Sequence, residues 1–176
     1  MTIAAELESI SSQDSDGSIA KGIHREVITF SATGVNAGAG IGLVNYQLLP
    51  SQSGALIVFQ SITGNLVTLP APVKGMWFEV MVELAATSNE HKIITQTIAS
   101  EFMLGSIISA SATVAEGMDV FTANGSTHVS ISMNGTTTGG EVGSRFVLTA
   151  LSTTQWLIKG VNQGSGGAVT DPFDSS

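Results

Sequence analysis

Leu66-Val67-Thr68-Leu69-Pro70-Ala71-Pro72-Val73-Lys74-Gly75-Met76-Trp77-Phe78-Glu79-Val80-Met81-Val82-Glu83-Leu84 is the stretch that decides the fold. It opens as a strand, breaks at a Pro/Gly corner and resumes as a long alternating strand. Met76, Phe78, Val80, Val82 and Leu84 fall on one side, with Trp77, Glu79, Met81 and Glu83 on the other. A period of two is the signature of a strand with one buried face. Pro70 and Pro72 lack a backbone N–H and hold φ near one value, so they end the first strand and turn the chain. The stretch contains no nucleophile, metal cluster or phosphate-binding loop and reads as scaffold.

The same grammar extends outward in both directions. Strands are expected at Glu26–Ser31, Leu43–Leu49, Ala55–Gln60, Leu66–Leu69, Met76–Leu84, Lys92–Thr97, Phe102–Ser109, Asp119–Thr122, Thr127–Met133, Arg145–Leu151 and Gln155–Val161. Asn124-Gly125 and Asn134-Gly135 bracket one of them, and Asn-Gly tolerates the positive φ of tight turns. No helical period lies inside the body. Short strands at this turn-punctuated spacing predict an all-β fold, an antiparallel β-sandwich of jelly-roll type. Three regions are expected: residues 1–24 as an extended or partly helical N-terminal arm, 25–162 as the β-sandwich body and 163–176 as a flexible C-terminal tail.

Length and composition restrict the class further. A chain of 176 residues with 43% apolar residues fits one domain with a real core. No apolar run is long enough to span a membrane, and no basic segment followed by an apolar core marks a secretory signal. The absence of cysteine removes any disulfide framework or thiolate metal site. Charged residues make up only 11%, against about 25% in an average soluble domain. Glu6, Glu8, Asp14 and Asp16 acidify residues 1–20, while residues 21–170 carry eight acids and six bases, a net of −2. A nearly neutral body rich in Ser, Thr, Gly and Asn suits a surface committed to other subunits. A nucleic-acid partner is disfavoured, because no Lys/Arg patch exists to neutralise phosphates.

Candidate chemistry is thin. His24, His91 and His128 are scattered, with no His-X-His or other metal-ligand spacing among them. Gly34-Val35-Asn36-Ala37-Gly38-Ala39-Gly40-Ile41-Gly42 is followed by a strand-like run, not by the helix that a phosphate loop needs. Asn124-Gly125-Ser126 and Asn134-Gly135-Thr136 fit glycosylation sequons, but the Asn-Gly turn accounts for both. Glu79 and Glu83 share a strand face with Trp77, an arrangement that suits a sugar-binding groove or, more simply, an interface. No serine sits in a nucleophile elbow. The expectation is a protein without catalytic activity, cofactor or metal.

From Ser53 to Gly160 the order of features resembles the small head decoration (cement) proteins of tailed bacteriophages. The residues that carry the resemblance are Ser53-Gly54-Ala55-Leu56-Ile57-Val58-Phe59, Val67-Thr68-Leu69-Pro70-Ala71-Pro72, Gly75-Met76-Trp77-Phe78, Lys92-Ile93-Ile94-Thr95, Leu104-Gly105-Ser106-Ile107 and Gln155-Trp156-Leu157-Ile158-Lys159-Gly160. Each piece alone is ordinary sheet grammar; the order is what resembles the family. The resemblance implies a virion structural protein that binds the capsid exterior, often as a homotrimer. It would stabilise the head by bridging major capsid subunits. Related patterns in tail-fibre and spike proteins leave a carbohydrate-binding β-sandwich as the alternative, with Trp77 or Trp156 as stacking platform. The candidate interface comprises Ile3, Leu7 and Ile10 of the arm with Trp77, Glu79 and Glu83 of the central strand.

Overall fold

A computed structural model describes residues 25–31, 45–113 and 117–176. The strands are β1 (Val27–Ser31), β2 (Asn45–Gln47), β3 (Leu56–Gln60), β4 (Leu66–Thr68), β5 (Trp77–Val82), β6 (His91–Ile94), β7 (Phe102–Ser111), β8 (Met118–Asn124), β9 (Ser130–Met133), β10 (Arg145–Ala150), β11 (Gln155–Gly164) and β12 (Phe173–Asp174). One 3₁₀ turn, Pro50–Gln52, precedes β3. Two sheets form, one of seven strands in the order β1-β3-β5-β10-β11-β7-β8 and one of five in the order β12-β9-β6-β4-β2. The all-β, two-sheet character matches the sequence reading.

The pairing differs from the antiparallel jelly roll expected above: both sheets are mixed. From β1 to β6 the chain alternates between the sheets, so β1, β3 and β5 are parallel neighbours in one, and β2, β4 and β6 in the other. Parallel neighbours need a crossover. Here each crossover is a strand of the opposite sheet, as in the coils of a solenoid. Period-two alternation reveals which face a strand buries and carries no information on the direction of its partner. The expectation of antiparallel pairing therefore had no physical support beyond short connections.

Antiparallel pairing begins in the second half. β7 and β8 form a hairpin, and β10 and β11 form another. The β10–β11 hairpin inserts between β5 and β7, antiparallel to the first and parallel to the second. One core fills the space between the sheets. Phe30, Ile57, Phe59, Phe78, Val80, Phe146, Leu148, Trp156 and Ile158 come from the seven-stranded sheet, and Val67, Ile93, Ile131 and Met133 from the other. Phe78 and Trp156 meet at 5.9 Å between ring centroids. Gly105 and Gly160, both in the resemblance motifs, mark close backbone approach. A Cβ on Gly105 would lie 2.1 Å from the Ile158 carbonyl oxygen, and one on Gly160 would lie 2.2 Å from that of Arg145.

The Asn-Gly turns form as read. The Asn124 Oδ1 accepts from the backbone N–H of Ser126 and Thr127, both at 2.9 Å, and Gly125 takes φ 76°. Residues 163–176, expected as a loose end, are instead packed. β11 continues to Gly164, and β12 pairs with β9 through Phe173↔Ile131. Phe173 is 7% exposed and stacks on His128 at 5.7 Å. The Gly/Ser run ahead of it signals a turn and hid the one aromatic residue that anchors the end of the chain. Phe173→Ala should therefore cost about 3–5 kcal/mol, as for a buried aromatic residue. An unchanged urea midpoint would show that this segment contributes nothing to the core.

Candidate interaction surface

Because β-strand side chains alternate, everything not in the core of the seven-stranded sheet points to its outer face. Register places Val58, Met81, Arg145, Val161, Ile108 and Val120 side by side across β3, β5, β10, β11, β7 and β8. At about 4.8 Å per strand the row is roughly 24 Å long. Most of it is apolar and open to solvent, with Val120 64% and the neighbouring Met118 71% exposed. Val27 and Trp77 are further exposed hydrophobic residues on this face. Scattered exposed apolar residues are ordinary, whereas an aligned patch marks a contact surface. The outer face of the five-stranded sheet is more mixed: Asn45, Gln47, Thr68, Lys92, Ser130 and Ser132 share it with the half-buried Leu66 and Ile94.

Glu79 lies in the next row, on the same outer face yet only 5% exposed. Two arginines cover it. Arg25 bonds one carboxylate oxygen and Arg145 the other. Arg25 also donates to the carbonyls of Gly54, at 2.6 Å, and Ala55, at 2.9 Å, and lies over the Trp77 ring at 4.8 Å. Burial raises the carboxyl pKa, but the hydrogen bonds and charges of Arg25 and Arg145 outweigh it and hold the group below the usual carboxylate range. Arg145 keeps 63% of its side chain exposed. With Lys159, Val147, Val161 and Gly143 it lines a shallow depression on β5, β10 and β11. Lys159 makes no ion pair among the described residues.

Of the residues read from sequence, Trp77 and Glu79 fall together on this surface. Trp77 is 40% exposed, with one ring face taken by Arg25. Glu83 lies just beyond β5, is exposed and accepts from Gln60. Ile3, Leu7, Ile10, His24 and the Gly34–Gly42 loop lie outside the described residues. Trp156 is fully buried and offers no stacking platform. Glu79 and Glu83, four residues apart on an extended chain, are separated by about 13 Å, beyond the reach of a paired-carboxylate cleavage site. Arg25, Arg145 and Lys159 escaped the sequence reading, since each cation is isolated in the chain and only strand pairing gathers them.

His91 and His128, the histidines among the described residues, make separate contacts. His91 is buried, with Nε2 at 2.9 Å from the Leu84 carbonyl and its ring stacked on Phe59 at 4.5 Å. Its Nδ1 has no hydrogen-bond partner among the described residues. Burial pushes its pKa down, only partly offset by the Leu84 carbonyl. Among the described residues no group of three or more His, Cys, Asp or Glu side chains is placed to hold a metal ion. No protein-family model, curated protein or solved structure matches the chain.

Two measurements check this electrostatic picture. In the unfolded chain His91 takes up a proton near pH 6.5, while the folded protein keeps it neutral to lower pH. Its contribution to stability is therefore complete above about pH 6.5 and declines as pH falls below it. Glu79 and Asp174, both lowered in the fold, lose their contributions only at more acid pH, below their unfolded values of 4.5 and 3.8. The urea midpoint should fall in two stages on acidification, and His91→Phe should remove the first. Glu79→Gln, which strips two arginines of their shared counter-charge, should cost about 1.5–3 kcal/mol. A loss below a few tenths would show that solvent already screens the pair.

Proposed function

We propose that this chain is a virion structural protein that binds the exterior of a tailed-phage capsid and stabilises the head by bridging major capsid subunits. The aligned apolar row on the outer face of the seven-stranded sheet carries this reading. A sheet that exposes Met81, Val161, Ile108, Val120 and Met118 together is built to be covered by protein. The low charge of the body favours association over repulsion. The ordered motifs that resemble the decoration proteins supply the kind of partner. They occupy β3, the β4–β5 corner, β6, β7 and β11, strands of both sheets.

In this reading the protein acts as a homotrimer with cyclic, heterologous contacts. Several weak contacts per assembly multiply into a firm grip on the lattice. Trp77 and the exposed edge of the Glu79–Arg145 pair belong to the contact surface, with Glu83 at its margin. The N-terminal arm contributes Ile3, Leu7 and Ile10 to a capsid subunit or an adjacent copy. A carbohydrate-binding tail module is the second reading, and the exposed part of Trp77 favours it. Glycan binding lost on Trp77→Ala would select that reading.

Labelled protein mixed with purified capsids lacking decoration should co-sediment with them, and Ile108→Asp with Val120→Asp should lower retention at least tenfold. Native mass measurement should find three copies of the 18.1 kDa chain. A virion reconstruction that places the protein away from the shell would overturn the capsid reading.

A further inference from the structure

The depression on β5, β10 and β11 holds unbalanced positive charge. Arg145 and Lys159 line it, and the buried Glu79, their one acidic neighbour there, is shared with Arg25 from outside the depression, so these three of the chain's six cations have one counter-ion. Lys159 is diagonal to Arg145 across the β10–β11 pair, since Arg145 faces Val161 and Val147 faces Lys159. Diagonal neighbours of this kind lie about 7–8 Å apart, so carboxylates can bridge or flank the two cations. Val147 and Val161 supply an apolar floor between them.

The complementary charge sits in the same chain. Residues 1–20 contain Glu6, Glu8, Asp14 and Asp16, no Lys or Arg, and the apolar Leu7 and Ile10. We propose that, in the free protein, the acidic segment Glu6–Asp16 docks on the outer face of β5, β10 and β11, with its carboxylates against Arg145 and Lys159. The point where this segment joins the body supports the assignment. Arg25, the first described residue, is bonded to the same Glu79 carboxylate that holds Arg145. The tether that joins the segment to the body therefore ends beside Glu79, next to the dock.

Length permits the contact. Residues 17–24 can extend over roughly 26 Å, and β11 lies four strand spacings from β1, about 19 Å. Tethering places the carboxylates at an effective concentration of the order of millimolar, so individually weak ion pairs suffice. The inference goes beyond the capsid reading and holds whether or not the protein binds a capsid.

The chain has no cysteine, which allows a clean spin label at Ser9→Cys in the full-length protein. Paramagnetic broadening of backbone amides is then read in the isotope-enriched, labelled protein. Signals of Val147, Lys159 and Val161 should be lost. They should return in about 1 M salt, where the Debye length is near 3 Å. They should also return in Lys159→Glu, an exposed substitution whose otherwise unchanged spectrum confirms the fold, and in the combined Glu6→Gln, Glu8→Gln, Asp14→Asn, Asp16→Asn variant. Three results would overturn the proposal. The first is no loss at these amides, and the second is loss spread evenly over both sheets. The third is loss seen only when labelled, unenriched protein is mixed with enriched, unlabelled protein, which would assign the dock to a neighbouring copy.

Discussion

The rest of the structure depends on the insertion of the β10–β11 hairpin between β5 and β7. Without it the seven-stranded sheet separates into β1-β3-β5 and a lone β7–β8 hairpin, each with an open edge. The insertion is held by matched shapes. Phe146, Leu148, Trp156 and Ile158 enter the core from the hairpin. Gly105 lets β7 approach the Ile158 carbonyl, and Gly160 lets β11 approach that of Arg145. The hairpin arrives from far along the chain, so the last contacts are non-local and the loop-closure cost comes before the burial that offsets it. The pairings among β1 to β6 are more local in sequence.

The interaction surface is a product of the same event. Arg145 and Lys159 belong to the inserted hairpin, while Glu79 belongs to the strand that receives it. Until β10 pairs with β5, Glu79 has only Arg25, and the apolar row is broken at its centre. The two arginines together offset the burial of this carboxylate and hold its pKa below the usual carboxylate range. Of its two pairs, that with Arg145 contributes the less, because Arg145 remains largely in solvent and screening weakens exposed pairs. Its structural consequence is larger, since it fixes the guanidinium of Arg145 and, through Arg25, the position of Trp77.

Much of this fold was legible in the chain. Eleven of the strands stand near their expected positions because alternation of apolar residues, Asn-Gly turns and the Pro70–Pro72 corner are local signals. Strand direction was not legible, as β3 and β5 would show the same alternation beside parallel or antiparallel partners. β12 was hidden by its brevity and by the Gly/Ser run before it. Trp77 and Glu79 were found from sequence because they share one strand. The cations that surround Glu79 were not, since Arg25 and Arg145 are separated by most of the body and only strand pairing brings them to one carboxylate. Asn162 illustrates the same gap. It is polar at a core-facing position and fully buried, satisfied by Gly140 N–H, the Thr138 carbonyl and Ser109, partners that no local pattern announces.

A wide sheet with one bare apolar face and an exposed edge strand is a hazard for a free protein. Among the described residues β8 is an edge strand that carries Met118 and Val120, and Asp119 is its one charged residue. Natural sheets protect such edges with charge, bulges or a covering segment. This chain has too few charges in its body to use the first device, which leaves a covering segment or oligomerisation. An acidic segment docked on Arg145 and Lys159 meets that need over β5, β10 and β11 while leaving the β7–β8 end open for association. Binding through ion pairs rather than a deep apolar groove also keeps the cover removable.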